Sequence, residues 1–280
     1  MLMNIAEDSL RRLILSSLKK RLLLEAHDGD GQIPAADSLI PPPNDVVKPH
    51  EPAKKTQKPK KRRTSTPLPK LESRMSDLHD KPITQPKYTL EEKREMLANL
   101  ASRLEDCHEC GVNPDRNRMV FGDGSLEPKV MFVGEAPGAD EDEQGIPFVG
   151  RAGKLLTDMI EKGMKISRDE TYICNVLKCR PPSNRTPSPE EAAICAKHLE
   201  RQIEIIRPPA ICTLGASSLR YLLSVPVGRS LGSMRGDVHD YRGIPLIATY
   251  HPSYLLRDPS KKREAWKDLQ LLMRTIGLLK

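Results

Sequence analysis

No stretch of this 280-residue sequence reaches the roughly 18 uninterrupted apolar residues that a membrane-spanning helix needs, so a bilayer span is not expected. Apolar residues near the N-terminus are interrupted by charges, and no small-residue cleavage site follows them, which argues against a secretory signal and for a cytoplasmic protein. Cysteine is scarce too. Six cysteines in a chain of this size are too few for a disulfide scaffold, and their placement near Lys, Arg and Pro points to ligation instead. Residues 28–87 lack any sustained apolar period and are rich in Pro, Lys and Asp. They cannot bury enough surface to offset the entropy of ordering, and a disordered linker is expected there.

What the chain does have is an excess of positive charge. A net charge of +7 draws a protein toward polyanions, although the same excess also keeps proteins soluble. Within the linker, Lys58, Lys60, Lys61, Arg62 and Arg63 form a basic cluster: either a loose, salt-sensitive hold on nucleic-acid phosphates or a solvated tether. Ahead of it, in residues 1–27, Ile5, Leu10, Leu13, Ile14, Leu18, Leu22 and Leu23 alternate with Arg11, Arg12, Lys19, Lys20 and Arg21. That pattern predicts a basic amphipathic helix whose apolar stripe needs a partner: the main domain, another protein or a lipid surface.

Residues 88–280 read as one folded domain. Thr89 and Glu92 form a capping box that opens a helix to about Asp106. Beyond Cys107 and Cys110, strands are predicted over 130–133, 172–176, 210–214 and 246–249, and helices over 152–162, 188–206, 216–223 and 261–279. Ser188, Pro189 and Glu191 supply the cap, first turn and capping-box acid of the second of these helices. Alternating strands and helices predict an α/β fold, a four-stranded parallel sheet covered on both faces. In such sheets ligands bind beyond the carboxyl ends of the strands. There the sequence places Gly134-Glu135-Ala136-Pro137-Gly138, Asn175, Gly215 and His251-Pro252-Ser253, each after a different strand.

Taken with Pro147-Phe-Val-Gly-Arg-Ala-Gly153, Asn175-Val-Leu-Lys-Cys-Arg-Pro-Pro182, Asn184-Arg185 and Leu255-Leu-Arg257, these motifs resemble the family 4 uracil-DNA glycosylases over roughly residues 90–280. The resemblance implies a three-layer α/β/α domain, a 4Fe-4S cluster, and hydrolytic excision of uracil from single- or double-stranded DNA by a monomer. The extension before residue 88 lies outside the pattern.

Cys107 and Cys110 are spaced C-x-x-C, and Cys179 and Cys195 follow much later. Four thiolates hold either zinc or an iron-sulfur cubane, and spacing does not choose between them. The resemblance implies the cubane, pinning a helix after Cys110, the loop after Cys179 and the helix bearing Cys195. Cys174 and Cys212 alternate with apolar neighbours in strands and read as small buried hydrophobes.

An enzyme acting on the glycosidic bond of a base must rotate the nucleotide out of the stack into a pocket. A side-chain amide matches uracil, accepting from N3–H and donating to O4, whereas cytosine offers the reverse pattern. By resemblance Asn175 is that amide, Phe148 the ring on which the base stacks, Glu141 the group beside uracil C5, and His251 the donor to O2 of the leaving base. Each also has a plainer role: strand-end turn for Asn175, loop packing for Phe148, a generic acidic loop for Glu141. Related families carry an Asp one place after Glu135. Ala136 stands there and cannot act as a base, leaving Glu135 to orient water or stabilise the oxocarbenium, with Ala136 and Pro137 lining the pocket. Arg180, Asn184, Arg185 and Arg257 are expected on phosphates, with Tyr254 or Leu255 filling the gap left by the base. The rivals are a non-catalytic DNA-binding module associated with a polymerase, a covalent cross-linker, and an unrelated zinc protein. The acidic loop between Gly138 and Phe148 holds no His, so the cross-linking chemistry lacks its nucleophile.

Overall fold

The computed structural model describes residues 82–83, 87–113, 115–223 and 230–280; the expected N-terminal helix, the basic cluster and most of the linker lie outside them. Ile83, inside the stretch read as linker, is buried, and its N–H bonds to the carbonyl of Arg242 at 3.2 Å.

The first helix, α1 (Leu90–Leu104), starts where its cap dictates: the Glu92 carboxylate takes the Thr89 N–H at 2.7 Å and the Glu92 N–H bonds back to Thr89 Oγ1 at 3.3 Å. Short apolar runs form the central strands β2 (Val130–Gly134), β3 (Thr171–Asn175), β4 (Ile211–Leu214) and β6 (Ile244–Thr249), which pair in parallel in the order β3-β2-β4-β6. Two antiparallel edge strands, β1 (Asp123–Gly124) and β5 (Val238–Tyr241), extend the expected four-stranded sheet to six. Neither carries an apolar run. β1 has two residues, and β5 exposes Val238 and Asp240 while turning into β6 through Arg242 and Gly243, both at positive φ.

Side chains of the central strands alternate between two cores, as a period of two requires. Met131, Val133, Cys174 and Ile211 pack with Leu199 and Ile203 of α4 (Pro189–Ile206) and Leu219 of α5 (Ala216–Leu223, the helix after β4). Phe132, Ile173, Cys212 and Ile247 pack on the opposite face with Leu156 of α3 (Arg151–Asp158) and Leu269 and Leu272 of α7 (Lys262–Thr275). Each fully buried Leu or Ile contributes about 1.5–3 kcal/mol relative to exposure, so the sheet is held from both sides. Where an α-helix to residue 162 was expected, α3 passes into a π-helical turn, Met159–Met164, that buries Ile160 and Met164. Two short helices, α2 (Ala139–Gln144) and α6 (Pro252–Arg257), follow β2 and β6 and face the carboxyl edge of the sheet. Among the described residues no helix is long and apolar enough to cross a membrane.

Candidate active site

A cavity of about 610 Å³ opens at the carboxyl ends of β2, β3, β4 and β6. It gathers Glu135, Ala136, Pro137, Glu141, Phe148, Asn175 and His251, which come from four separate chain segments.

Asn175 ends β3, in register with Gly134 of β2. It is only 1% exposed, and among the described residues neither its Nδ2 nor its Oδ1 has a hydrogen-bond partner. Leaving such a group unpaired costs about 1–3 kcal/mol. Gly134 makes room for it: a Cβ there would overlap Asn175 Oδ1 and come within 2.6 Å of Phe148 Cζ. The amide and the ring therefore approach over a bare backbone.

Phe148 adopts φ +54°, a strained value for an aromatic residue. The clamp holding it is visible on both sides. Glu141 accepts from the N–H groups of Val149 (2.9 Å), Gly150 (3.0 Å) and Gly138 (3.0 Å), and Arg168 donates to the carbonyl of Pro147 at 2.7 Å. Glu141 thus lines the cavity with a carboxylate already engaged in holding the Phe148 loop.

His251 caps α6, its ring centroid 5.6 Å from that of Phe148. The Ser253 N–H donates to His251 Nδ1 at 3.1 Å, so Nδ1 is the unprotonated nitrogen and Nε2 carries the hydrogen. Burial, reinforced by Arg257, lowers its pKa to about 4, which keeps the ring neutral at physiological pH. Behind it Arg235 stacks over Tyr250 at 3.9 Å and donates to Asp268 (2.8 Å) and Glu264 (2.8 Å), while Thr249 and Tyr250 donate to the same two carboxylates. This lattice fixes the strand end that carries His251.

At the cavity mouth the side chains expected on DNA differ in setting. Leu255 is 1% exposed, turned inward by α6, which presents Leu256 outward. Arg185 lines the cavity but is held by Glu191 through contacts of 2.8 and 2.5 Å. Arg180 lies off the cavity, donating to Asn184 Oδ1 at 2.8 Å. Tyr254 and Arg257 remain on the rim. Leu231 and Tyr250 line the cavity without having been singled out; nothing local in the sequence marks them.

The four ligand candidates converge beside α4. Burial pushes the Cys179 thiol up to about 12, with Cys195, Cys110 and Cys107 each opposing its ionisation; burial likewise lifts Cys195 to about 11, with Cys110 and Cys107 adding to it. These mutual influences put the four thiols in one neighbourhood, although no three of their sulfurs lie within 4.8 Å of one another, and a soft, all-thiol set suits zinc or an iron-sulfur cluster. Asn113 staples the Cys110 loop to the Cys179 loop by donating to the Arg180 carbonyl at 2.9 Å. Cys107 also lies within 4.8 Å of donor atoms of Glu109 and His198, but Lys197 already occupies the Glu109 carboxylate. His198 Nε2 is buried without a partner among the described residues, an orphan ring nitrogen on a side chain close to Cys107. Cys174 and Cys212 are fully buried in the strands.

The family model described as "Uracil DNA glycosylase superfamily" matches residues 121–270, and the chain belongs to that superfamily. Within it, the chain is 46% identical over 178 residues to the type-4 uracil-DNA glycosylase of Thermotoga maritima, covering 62% of this chain and 89% of that protein. It is 40% identical over 181 residues to the type-4 enzyme of Pyrobaculum aerophilum (62% and 92%) and 39% identical over 181 residues to that of Sulfurisphaera tokodaii (62% and 82%).

Proposed function

We propose that this chain is a type-4 uracil-DNA glycosylase, adding water across the N-glycosidic bond of deoxyuridine in DNA to release uracil and leave an abasic site. The observation that carries the reading is Asn175, a buried amide with neither atom partnered, set beside an aromatic ring and a neutral imidazole in one cavity. Uracil supplies what the amide lacks, N3–H for Oδ1 and O4 for Nδ2. Cytosine would leave both amide atoms facing groups of the same kind, whereas thymine offers the same N3–H and O4 as uracil and is rejected by Glu141 beside C5, which meets its methyl group.

Phe148 stacks the extruded base, and aromatic stacking of this kind contributes about 1–3 kcal/mol per base. His251 Nε2–H donates to uracil O2, a bond that strengthens as negative charge develops there and so lowers the barrier rather than only binding substrate. Glu135 orients water or stabilises the positive sugar. Tyr254 and Arg257 contact the DNA at the rim. Cys107, Cys110, Cys179 and Cys195 would hold a 4Fe-4S cluster. When bound, such a cluster supplies a cross-link between the Cys107–Cys110 loop, the Cys179 loop and α4. We read the protein as a cytoplasmic monomer, with residues 1–27 as a segment that docks on a partner protein and residues 28–87 as the linker to it. The alternative, a non-catalytic module associated with a DNA polymerase, has less support, since such a module has no use for a neutral imidazole beside an unpaired amide.

The test is incubation of purified protein with uracil-, thymine- and cytosine-containing oligonucleotides followed by alkali. Cleavage at uracil alone is expected. Intact uracil strands, or equal cutting at cytosine, would refute the reading.

A further inference from the structure

Asn175 and Cys179 sit at the two ends of one short segment, with Lys178 between them. The Lys178 side chain is buried at 2% exposure, and its Nζ donates to the Asn175 carbonyl at 2.8 Å and to Gln202 Oε1 at 2.5 Å. Gln202 is fixed in turn, donating to the Phe121 carbonyl (3.0 Å) and to the Tyr172 hydroxyl (2.9 Å). The Lys178 backbone is pinned as well: its carbonyl accepts from the Val120 N–H at 2.8 Å. Among the described residues no carboxylate pairs with the ammonium, and the Phe121 ring centroid lies 5.9 Å from Nζ. A buried ammonium without countercharge is costly, so its two hydrogen bonds hold it in place, and its backbone runs directly into Cys179.

We propose that Lys178 is a positioning residue that couples the metal centre to the base pocket, its backbone continuous with the ligand Cys179 on one side and its ammonium fixing the backbone of Asn175 on the other. The inference rests on Asn175 as the group that recognises uracil. Lys178 touches neither base nor sugar; it acts by holding the amide where the base must meet it. A merely structural lysine would lower stability or metal content without acting through Asn175.

The experiment uses the full chain, purified anaerobically with its iron, as wild type, Lys178→Met and Gln202→Met, each alone and combined with Asn175→Ala. The readouts are iron per chain, single-turnover rate on a uracil oligonucleotide, and the ratio of affinities for uncleavable 2′-fluoro-deoxyuridine and 2′-fluoro-deoxycytidine oligonucleotides. With iron retained, Lys178→Met should lower the rate and the affinity ratio by about 10- to 100-fold, the range of outer-shell effects at metal sites. That loss should largely vanish in the Asn175→Ala background, as expected when two residues act as one unit. Gln202→Met should act in the same direction, by about threefold or more. A wild-type affinity ratio in Lys178→Met, or an equal loss in both backgrounds, overturns the proposal. If Lys178→Met fails to retain iron, Gln202→Met decides: a wild-type rate and ratio with iron present overturns the coupling. Full activity in Asn175→Ala alone would instead sink the base-recognition role, so the two failures are distinguishable.

Discussion

Asn175 and Asp268 are both buried polar side chains beside the central sheet, at 1% and 2% exposure, yet the fold treats them oppositely. Asp268 is complete: its carboxylate accepts from Thr249 at 2.7 Å and Arg235 at 2.8 Å. Asn175 has neither amide atom partnered among the described residues, and it faces the cavity. The difference separates scaffold from site. Burial of a polar group is tolerable when the protein supplies the partner, and where it does not, a ligand is the physical reason to keep the group.

The comparison can be broken at its scaffold end first. Asp268→Ala leaves Arg235 buried beside Tyr250 without its main acceptor, and breaking a buried pair typically costs about 3–5 kcal/mol; urea unfolding should register that loss. At the site end, His251→Ala should lower the single-turnover rate about 10²–10³-fold, the usual consequence of removing a donor to a developing oxyanion. Its melting temperature should stay close to wild type, in contrast to Asp268→Ala. Asn175→Leu sharpens the contrast further. It removes an unpaired amide, so stability should hold or rise by up to about 1 kcal/mol while selectivity for uracil over cytosine collapses. A destabilised Asn175→Leu would mean the amide is scaffold after all.

The same contrast carries a pH dependence. Burial and Arg257 hold His251 near 4, below its ordinary value of 6.5. Above about 6.5 the group is neutral in both folded and unfolded chains; between about 6.5 and 4 the unfolded chain gains a proton that the folded one refuses. Stability should therefore decline as pH falls through that window. The cleavage rate should show no His251 step near 6.5 and should drop only below about 4, where Nδ1 can no longer accept from Ser253. Rate and unfolding measured across the same buffers check both signs.

Local chemistry made much of the fold legible. The capping boxes at Thr89 and Ser188 lie within single turns, and both helices start where those residues set them. Apolar runs marked β2, β3, β4 and β6, whereas β5, with exposed Val238 and Asp240, gave no such signal. Asn175, His251 and the Gly134–Gly138 turn were readable as strand ends that converge in an α/β sheet, whereas Phe148 and Glu141 entered only through the family resemblance. Their supports were not. Lys178, Arg168 and Arg235 are cations that composition assigns to solvent, yet all three are turned inward by partners far away in sequence. The burial of Leu255 was hidden for a related reason, since only the phase of α6 decides that it faces in and Leu256 faces out.

The central claim is that uracil completes the Asn175 amide. Selective ¹⁵N-asparagine labelling of His251→Ala protein, with Asn175→Leu to assign the signal, allows the side-chain NH₂ resonance to be followed as uracil- or cytosine-containing oligonucleotide is added. The account predicts a saturable downfield shift with uracil and none with cytosine; an Asn175 resonance unmoved by uracil, or moved equally by both, would contradict it.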